Sequence, residues 1–553
     1  MGFLSLVVVS CLLLYPVHSG VKDLSSHFQT ERPSSGPDAR GFGTGDSLDM
    51  EAIPLDFHKE NTVTSDLPAE GYEEEDYIDF DKILAEGDDD YGEGDEIDEI
   101  ATPAPDVDIF AEPSDPKVRR ARLLRLFHGQ TRIQRLNVVN ANFGFRLYRS
   151  MRNDVNQTDN ILLAPAGISI AMGMIDLATG PETHKQLYQA LGFAEFVNAS
   201  VHYEDLTVHK LFRKLTHRLY RRNFGYTLRA VSDLYVKKDV AISEAFRGET
   251  KNYYFAEPQS VDFRDPSFLD KANRRITKLT KGLIKEPLKS VDPNMVLMIL
   301  NYLYFKAADS AGFIIQPLSP QLMYFTRLDR SLPSQIPHIL ETRPEQREQR
   351  GTWEQKFPKD MTYTRSFRVT EKQTVRVPMM QNKGNYLAAT DHELQCDVLQ
   401  LPYVGNVSMM VAVPQKISGM RALEQNISAT VVSKWLKNMT NRTREVVFPK
   451  FKLERTYDLI SNLKELGITD LFEDIGDFSR MTNEKINIDW FKHQGTITVN
   501  EEGTEAAALT QVGFMPLSAQ IRFVVDRPFI FLIYEHRTNC LLFMGRVVDP
   551  TQN

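Results

Sequence analysis

Two residues near the C-terminus, His493 and Ser518, have the side chains of a base and a nucleophile. A serine hydrolase also needs a third group that orients the base, and the sequence places no such partner beside them. Other enzyme signatures are missing: there is no G-x-S-x-G elbow, no P-loop and no Cys/His cluster with zinc spacing, and His392-Glu393 does not continue as H-E-x-x-H. The sequence therefore predicts a protein that is not an enzyme and that has no metal site.

A different chemistry is indicated by residues 500–523, NEEGTEAAALTQVGFMPLSAQIRF, which lie between two strand-like runs. Every second residue in part of this segment is small or β-branched, and alternation is typical of a strand. The members of this face are Thr504, Ala506, Ala508, Thr510 and Val512. Such a segment can be exposed as a loop and can also fit between two existing strands, where bulky side chains would clash. The alternative is an ordinary polar loop.

The first 19 residues are typical of a secretory signal, with a short apolar run followed by small residues. N-x-[ST] sequons agree with secretion. They begin at Asn156, Asn198, Asn406, Asn426, Asn438 and Asn441. No later apolar run approaches the ~20 residues of a membrane span. Once the signal is removed, only Cys396 and Cys540 remain, and their apolar neighbours predict two buried free thiols.

Negative charge is concentrated near the N-terminus. The chain has a net charge of −9, residues 70–99 alone carry −15, and the remainder therefore carries +6. The composition of residues 20–116 cannot bury enough apolar surface to fold, which predicts a disordered acidic arm. The arm contains an imperfect repeat, Glu74-Glu75-Asp76-Tyr77-Ile78-Asp79 and Asp88-Asp89-Asp90-Tyr91. Acid-flanked Tyr77 and Tyr91 predict tyrosine sulfation. Apolar residues among the acids favour docking on a basic surface, and the alternative is a merely solvating arm.

The opposite charge appears in residues 209–226, HKLFRKLTHRLYRRNFGY. At helical spacing the cations form one stripe and the leucines lie behind it. The stripe consists of Lys210, Arg213, Lys214, His217, Arg218, Arg221 and Arg222. Since no acids are interleaved, these cations repel one another until an anion binds, which indicates a polyanion site. The alternative is a solvated helix face. A secreted protein meets sulfated glycosaminoglycans rather than nucleic acid. A second basic cluster, residues 117–135, extends this site or simply follows the acidic arm.

The remainder of the chain mixes helical and strand patterns, which predicts an α+β protein with at least one large sheet. A helix is expected over residues 136–151, and a strand, a proline break and a buried helix over residues 160–180. Strand-like runs occupy residues 295–306, 374–381, 407–414, 445–454, 523–535 and 538–550.

These segments resemble the serpins, over nearly all of residues 117–553. The resemblance depends on Asn160, Pro165 and Ser169 in NILLAPAGISIAM, Asn301 in NYLYFK, His493 and residues 501–508 in FKHQGTITVNEEGTEAAA, and the C-terminal run DRPFIFLIYEHRTNCLLFMGRVVDP. It implies the serpin fold, a central mixed β-sheet with surrounding helices and an exposed reactive-centre loop. The disordered arm would precede this domain.

The resemblance also implies a mechanism for residues 500–523. In serpins this loop is a pseudo-substrate, and counting from Glu501 places the scissile bond between Leu517 and Ser518. The protease forms an acyl-enzyme, after which the loop inserts as a new strand and distorts the protease. The hinge that permits insertion corresponds to Glu501, Glu502, Gly503, Thr504, Glu505, Ala506, Ala507 and Ala508. An intact hinge of small residues favours a suicide-substrate inhibitor over a noninhibitory hormone-carrier or chaperone serpin.

The same resemblance implies the partners. It implies that thrombin is the target protease. Leu517 at the scissile bond, taken by itself, suits chymotrypsin-like proteases. Heparin or dermatan sulfate would be the activator, with no metal or organic cofactor. The glycosaminoglycan would bind Lys210, Arg213, Lys214, Arg218, Arg221 and Arg222. It would release the acidic arm to bind a basic exosite of thrombin. The expected protein is a monomer secreted into plasma.

One segment departs from the serpin pattern. Serpins run from the YFK strand directly into Gly-x-Trp, but here residues 307–350 separate Lys306 from Gly351-Thr352-Trp353. A long structureless loop inside a compact domain is unusual. We interpret this insertion as more typical of a gene-model or retained-intron artefact than of a functional loop. If the mature protein contains it, the alternative function is a noninhibitory or inactivated serpin that binds glycosaminoglycan.

Overall fold

The computed structural model describes residues 116–197, 206–220, 227–280, 282, 284, 288–306, 353–501 and 521–552. Eleven α-helices lie within these ranges. They are α1 (Pro116–Phe127), α2 (Arg132–Asp154), α3 (Pro165–Asp176), α4 (Pro181–Leu191), α5 (Phe193–Val197), α6 (Thr207–Tyr220), α7 (Glu244–Tyr254), α8 (Phe268–Leu279), α9 (Met420–Asn426), α10 (Ala429–Asn438) and α11 (Ile460–Glu465).

The strands of the described residues form two sheets. They are β1 (Ile161–Leu163), β2 (Thr227–Lys237), β3 (Gln259–Val261), β4 (Leu297–Lys306), β5 (Tyr363–Arg368), β6 (Thr374–Asp391), β7 (Cys396–Tyr403), β8 (Val407–Pro414), β9 (Thr440–Pro449), β10 (Phe451–Asp458), β11 (Trp490–Val499), β12 (Arg522–Val524), β13 (Phe529–Glu535) and β14 (Cys540–Val547). A nine-stranded sheet has the order β1-β14-β13-β8-β7-β6-β9-β12, with β5 paired to β6. A five-stranded sheet has the order β10-β11-β4-β2-β3.

In the five-stranded sheet, β4 and β11 are direct neighbours and run parallel. Their register pairs Met298 with Trp490 at one end and Lys306 with Thr498 at the other. Every residue of β4 from 297 to 305 is buried. A strand that is covered on both faces has no polar side, which explains its nearly continuous apolar sequence, LMILNYLYFK.

Two runs that the sequence analysis treated as single strands are each divided. Residues 445–454 contain the end of β9 and the start of β10, which belong to different sheets. Pro449 ends β9, since proline cannot donate a ladder hydrogen bond and is confined to strand ends and edges. Residues 523–535 likewise contain the end of β12 and all of β13, with Pro528 in the break. The expected strand over residues 374–381 is correct but too short, because β6 continues to Asp391.

The helices pack on the sheets around α2, which contains the predicted helix over residues 136–151. Thr131 and Gln134 form a capping box at its N-terminus, where each side chain accepts a hydrogen bond from the other residue's backbone N–H. α3 begins at Pro165, a residue that favours the first helical turn. The two helices approach closely at Gly144, where an added Cβ would lie 2.6 Å from the Pro165 side chain. Both helices pack against β14.

The α+β class that the sequence predicts is confirmed. Both cysteines are free and buried, as expected. Burial raises the pKa of the Cys396 thiol to about 12. Within the described residues, no helix combines the length and the apolar character that crossing a membrane requires.

Candidate functional site

A buried polar cluster joins β4 and β11 near the middle of their contact. His493 Nδ1 lies 2.9 Å from Asn301 Oδ1, and both side chains are fully buried. The backbone N–H of Ala164 donates to His493 Nε2 at 3.1 Å. Nε2 is therefore the acceptor, and Nδ1 carries the proton that it donates to Asn301. Asn301 Nδ2 donates in turn to the carbonyl of Gly167 and to the hydroxyl of Ser232. The cluster ties the two strands to each other and to the start of α3.

His493 is consequently unsuited to act as a catalytic base. Burial lowers its pKa to about 3, and the hydrogen bond with Asn301 offsets only part of that effect. Both ring nitrogens are occupied by protein groups. Ser518, the nucleophile that the sequence analysis considered, lies outside the described residues.

The C-terminal end of β11 is fixed by Trp353. Its indole Nε1 donates to the carbonyl of Asn500 at 3.1 Å. The indole stacks on Tyr403 with ring centroids 4.1 Å apart and an angle of 15° between the planes. The sequence gives no direct sign of this contact, because Trp353 and Asn500 lie far apart in the chain.

Glu501 is the first residue of the expected hinge and the one member of it that the structure describes. Its side chain is buried, accepting from the Thr362 hydroxyl at 2.7 Å and pairing with Lys450 Nζ at 2.6 Å. Burial alone would raise its pKa, but the hydrogen bonds from Lys450 and Thr362 outweigh burial and hold the pKa below its usual value. The rest of the hinge, Glu502–Ala508, and the expected scissile pair Leu517 and Ser518 lie outside the described residues.

Residues 502–520, which lie outside the described residues, connect the two sheets. The chain leaves the five-stranded sheet after β11 and enters the nine-stranded sheet at β12, which pairs parallel with β9. Glu501, the last described residue before this segment, directly follows the end of β11, the strand that pairs with β4. A segment that returns along β11 would run antiparallel to both β11 and β4.

The basic stripe lies on α6 and its neighbouring residues. The apolar side of this helix is buried as predicted, with Leu211, Phe212 and Leu215 in the main core. Lys214 Nζ is buried and has no hydrogen-bond partner in the described part of the chain. Arg213 donates to the carbonyl and side-chain oxygens of Asn252 at the end of α7, and its guanidinium lies 5.4 Å from the centre of the Phe255 ring.

The other predicted members of the stripe are distributed as follows. Lys210, His217 and Arg218 are half-buried on α6. Arg221 and Arg222 lie outside the described residues. The described part of α6 therefore places four of the six expected glycosaminoglycan contacts on one helix, and Arg213 among them is already engaged by α7.

A buried network beneath α6 was not anticipated from the sequence. His209 Nδ1 lies 2.6 Å from the Tyr254 hydroxyl, and its Nε2 lies 3.6 Å from Asp176 Oδ2. Asp176 Oδ1 contacts His184 Nδ1 at 2.8 Å. Burial lowers the pKa of His209 to about 3, with further lowering by His184. The four residues come from four different helices or their ends, so no local sequence pattern announces their contact.

The modification sites can be placed only in part. The described sequon asparagines are exposed, namely Asn156, Asn406, Asn426, Asn438 and Asn441. Asn198 and the two expected sulfotyrosines, Tyr77 and Tyr91, lie outside the described residues. Across the described ranges, no group of three or more His, Cys, Asp or Glu side chains is arranged to hold a metal ion.

Comparison with known proteins identifies the class. The sequence model described as "Serpin (serine protease inhibitor)" matches residues 138–329 and 349–550, and the chain belongs to the serpin family. It is 52% identical to heparin cofactor 2 of Oryctolagus cuniculus over 507 residues, covering 92% of this chain and 94% of that protein. It is 51% identical to heparin cofactor 2 of Homo sapiens over 508 residues, covering 92% and 90%. The expectation that the chain is not an enzyme is confirmed, because this family inhibits proteases.

Solved structures agree with the family. The mouse protein Z-dependent protease inhibitor is 28% identical with a TM-score of 0.63, over 76% of this chain and 98% of that one. A human thyroxine-binding globulin complexed with thyroxine is 26% identical with a TM-score of 0.63, over 76% and 100%. The serpin fold is thereby confirmed. The family match omits residues 330–348, which fall inside the insertion that the sequence analysis noted.

Proposed function

We propose that this chain is a secreted suicide-substrate inhibitor of thrombin that heparin or dermatan sulfate activates. The family match and the similarity to heparin cofactor 2 support the inhibitor class. The basic α6, the acidic arm and the hinge sequence supply the parts that such an inhibitor needs. The proposed reactive bond is Leu517–Ser518.

The observation that carries the proposal is the direct pairing of β4 with β11 at the foot of the loop. This arrangement is the uninserted state, in which no strand separates the two. A loop that returned between them would be antiparallel to both and would replace one parallel pairing by two antiparallel ones. Antiparallel ladders are slightly more stable per residue than parallel ones. Insertion should therefore lower the free energy of the sheet once β4 and β11 have separated.

The hinge sequence fits this role. Thr504, Ala506, Ala508 and Thr510 would face inward after insertion, where small side chains avoid clashes with the helices beneath the sheet. Insertion also has to separate His493 from Asn301, since these residues lie on the two strands that must part. The buried Glu501 is then the fixed point from which the hinge swings.

The target requires a second contact besides the reactive bond. Leu517 suits chymotrypsin-like pockets, and a trypsin-like protease such as thrombin prefers a basic residue. An acidic arm that binds a basic exosite of thrombin raises affinity through multivalency. Chymotrypsin-like proteases would be inhibited through the loop alone.

A glycosaminoglycan would act as the switch. At rest the acidic arm would lie on the basic stripe of α6, and a sulfated polysaccharide would displace it by competing for the same cations. Lys214, whose ammonium lacks a partner among the described residues, supports an anion site at this helix. The interaction is electrostatic and should weaken as salt rises. Secretion into plasma, a monomeric state and the absence of any metal or organic cofactor belong to the same proposal.

The test is incubation of the secreted protein with thrombin, with and without dermatan sulfate, followed by denaturing electrophoresis. An SDS-stable complex that forms faster with dermatan sulfate supports the proposal. Clean cleavage without a complex would instead support the second candidate, a noninhibitory serpin that binds glycosaminoglycan. The insertion at residues 307–350, which directly follows β4, is the feature that favours this candidate.

A further inference from the structure

A cavity of about 630 Å³ lies between strands β6, β9 and β12 and the end of α10. Its ionisable lining residues are Arg442, Arg444, Arg522, Arg527, His392 and Asp397. Arg442 and Arg444 are two residues apart on β9 and therefore project from the same face of the strand. The volume falls within the range of ordinary ligand sites.

Two of the four arginines are already paired with acids. Arg522 pairs with Glu445 at 2.8 Å, and Arg527 pairs with Asp526 at 2.8 Å. Both guanidinium groups therefore already contact protein carboxylates, and Asp526 also pairs with Arg368 at 3.4 Å.

The other two arginines are not neutralised in this way. No ion pair or side-chain hydrogen bond within the described residues involves the guanidinium of Arg442 or of Arg444. Arg442 is exposed, and Arg444 Nε is buried without a partner. Asp397, the nearest acid in the cavity, accepts a hydrogen bond from the Thr390 hydroxyl at 2.7 Å. Burial and the neighbouring Arg442 lower the pKa of Arg444, while Asp397 raises it. An anion that entered the cavity would satisfy both guanidinium groups.

The acidic arm of the same chain is an anion that is long enough to reach the cavity. The chain enters the described structure at Pro116 on α1, which packs against α10, and Asn438 at the end of α10 lines the cavity. The path from Pro116 to the cavity is at most the lengths of α1 and α10 plus the gap between them, about 45 Å in all. The 24 residues from 92 to 115 span up to about 80 Å when extended. The second acidic repeat, Asp88-Asp89-Asp90-Tyr91, therefore reaches the cavity with length to spare.

We propose that the arginine cavity is a second docking site for the acidic arm and binds the repeat Asp88–Tyr91 through Arg442 and Arg444. The inference rests on the proposed function, in which the acidic arm docks on the basic stripe of α6. It adds a second docking site, which lies on the nine-stranded sheet. Tethering gives the repeat a high effective concentration, which favours it over free anions. The arm at rest is then held at two places, with the second beside β12, where the loop ends.

The experiment uses the full secreted chain with a fluorescent label at Gly92→Cys. Labelling is selective because Cys396 and Cys540 are buried and their thiol pKa values are raised by burial. Anisotropy of the label during a salt titration reports the docked fraction of the arm. The test variant is Arg442→Ala/Arg444→Ala. The matched control, Lys372→Ala/Arg376→Ala, removes one exposed cation from the turn between β5 and β6 and one from β6, both outside the cavity. Thermal unfolding verifies that both variants fold.

We expect the test variant to lower the ratio of docked to free arm about tenfold, as befits the loss of two charge-assisted contacts. The control should match the parent protein. Anisotropy that falls only when Arg218, Arg221 and Arg222 are neutralised overturns the cavity site and leaves docking on α6 intact. Anisotropy that responds to no variant and no salt overturns both. A test variant that changes heparin elution instead of anisotropy would assign the cavity to glycosaminoglycan and also overturn the inference.

Discussion

The imidazole of His493 and the amide of Asn301 are hydrogen-bonded at 2.9 Å across the boundary between β11 and β4. The two residues are 192 positions apart in the chain, yet they sit at paired positions of one parallel ladder. This contact closes the sheet at the place where the proposed mechanism requires it to open.

The first prediction concerns the pH dependence of stability, which follows from the lowered pKa of the buried His493 imidazole. Its pKa is lowered to about 3 in the fold, against about 6.5 in an unfolded chain. Between these values the unfolded state binds more protons, so stability is lost as the pH falls below about 6.5. The loss from this histidine approaches ~1.4 kcal/mol per pH unit.

We expect His493→Gln to be less stable than the parent at pH 7 and to lose less stability on acidification. The urea midpoint, measured between pH 7 and 4.5 for both proteins, checks this expectation. His209 also has a pKa near 3, and it contributes equally to both proteins, so it cancels in the comparison. Identical acid slopes for the two proteins would contradict the assignment.

A second prediction concerns the inward face of the hinge. Thr504→Arg should convert the protein from an inhibitor to a substrate, because burying an unpaired arginine costs several kcal/mol and insertion then stalls. The ratio of cleaved protein to SDS-stable complex measures the change. Glu505→Arg, on the opposite face, is the control and should retain complex formation. A wild-type yield of complex from Thr504→Arg would show that the hinge argument is wrong.

A third prediction concerns the scissile residue. Leu517→Arg should speed thrombin inhibition in the absence of glycosaminoglycan and slow inhibition of chymotrypsin-like proteases, since a trypsin-like pocket binds a basic side chain. Second-order rate constants for both proteases provide the measurement. Met515→Arg, two residues away, is the matched control. If Leu517→Arg leaves both rates unchanged, the reactive bond lies elsewhere.

The fourth prediction separates release of the arm from simple bridging by a polysaccharide. Deleting residues 70–99 should largely abolish glycosaminoglycan acceleration of thrombin inhibition and leave chymotrypsin-like targets near normal. Heparin affinity should rise, because the deletion removes a net charge of −15 that competes for the α6 cations. Salt at heparin-column elution and thrombin rate constants measure the two effects.

Neutralising Arg218, Arg221 and Arg222 should give a different pattern. Heparin binding should fall, while basal thrombin inhibition should rise because the arm is held less tightly. Simple bridging predicts no rise in basal inhibition. A deletion of residues 70–99 that changes neither elution nor acceleration would leave the arm as a solvated tail.

The sequence by itself determined those features that depend on local pattern. The apolar runs predicted the strands, and helical periodicity predicted the amphipathic α6 with its buried leucines. Family motifs such as NILLAPAGISIAM and the C-terminal run indicated the serpin fold, which the comparisons confirm. Strand boundaries were less accurate, because a continuous apolar run does not reveal that Pro449 ends one strand and that the next joins another sheet.

Only the tertiary structure decided which distant groups meet. The pairing of His493 with Asn301, the contact of Trp353 with Asn500 and the burial of Glu501 against Lys450 all join segments far apart in the chain. The same holds for Arg442 and Arg444, whose spacing on β9 is ordinary and which the fold places in one pocket with β12 and the end of α10. Such contacts depend on sheet order and register, which arise from packing over the whole domain and leave no local signal in the sequence.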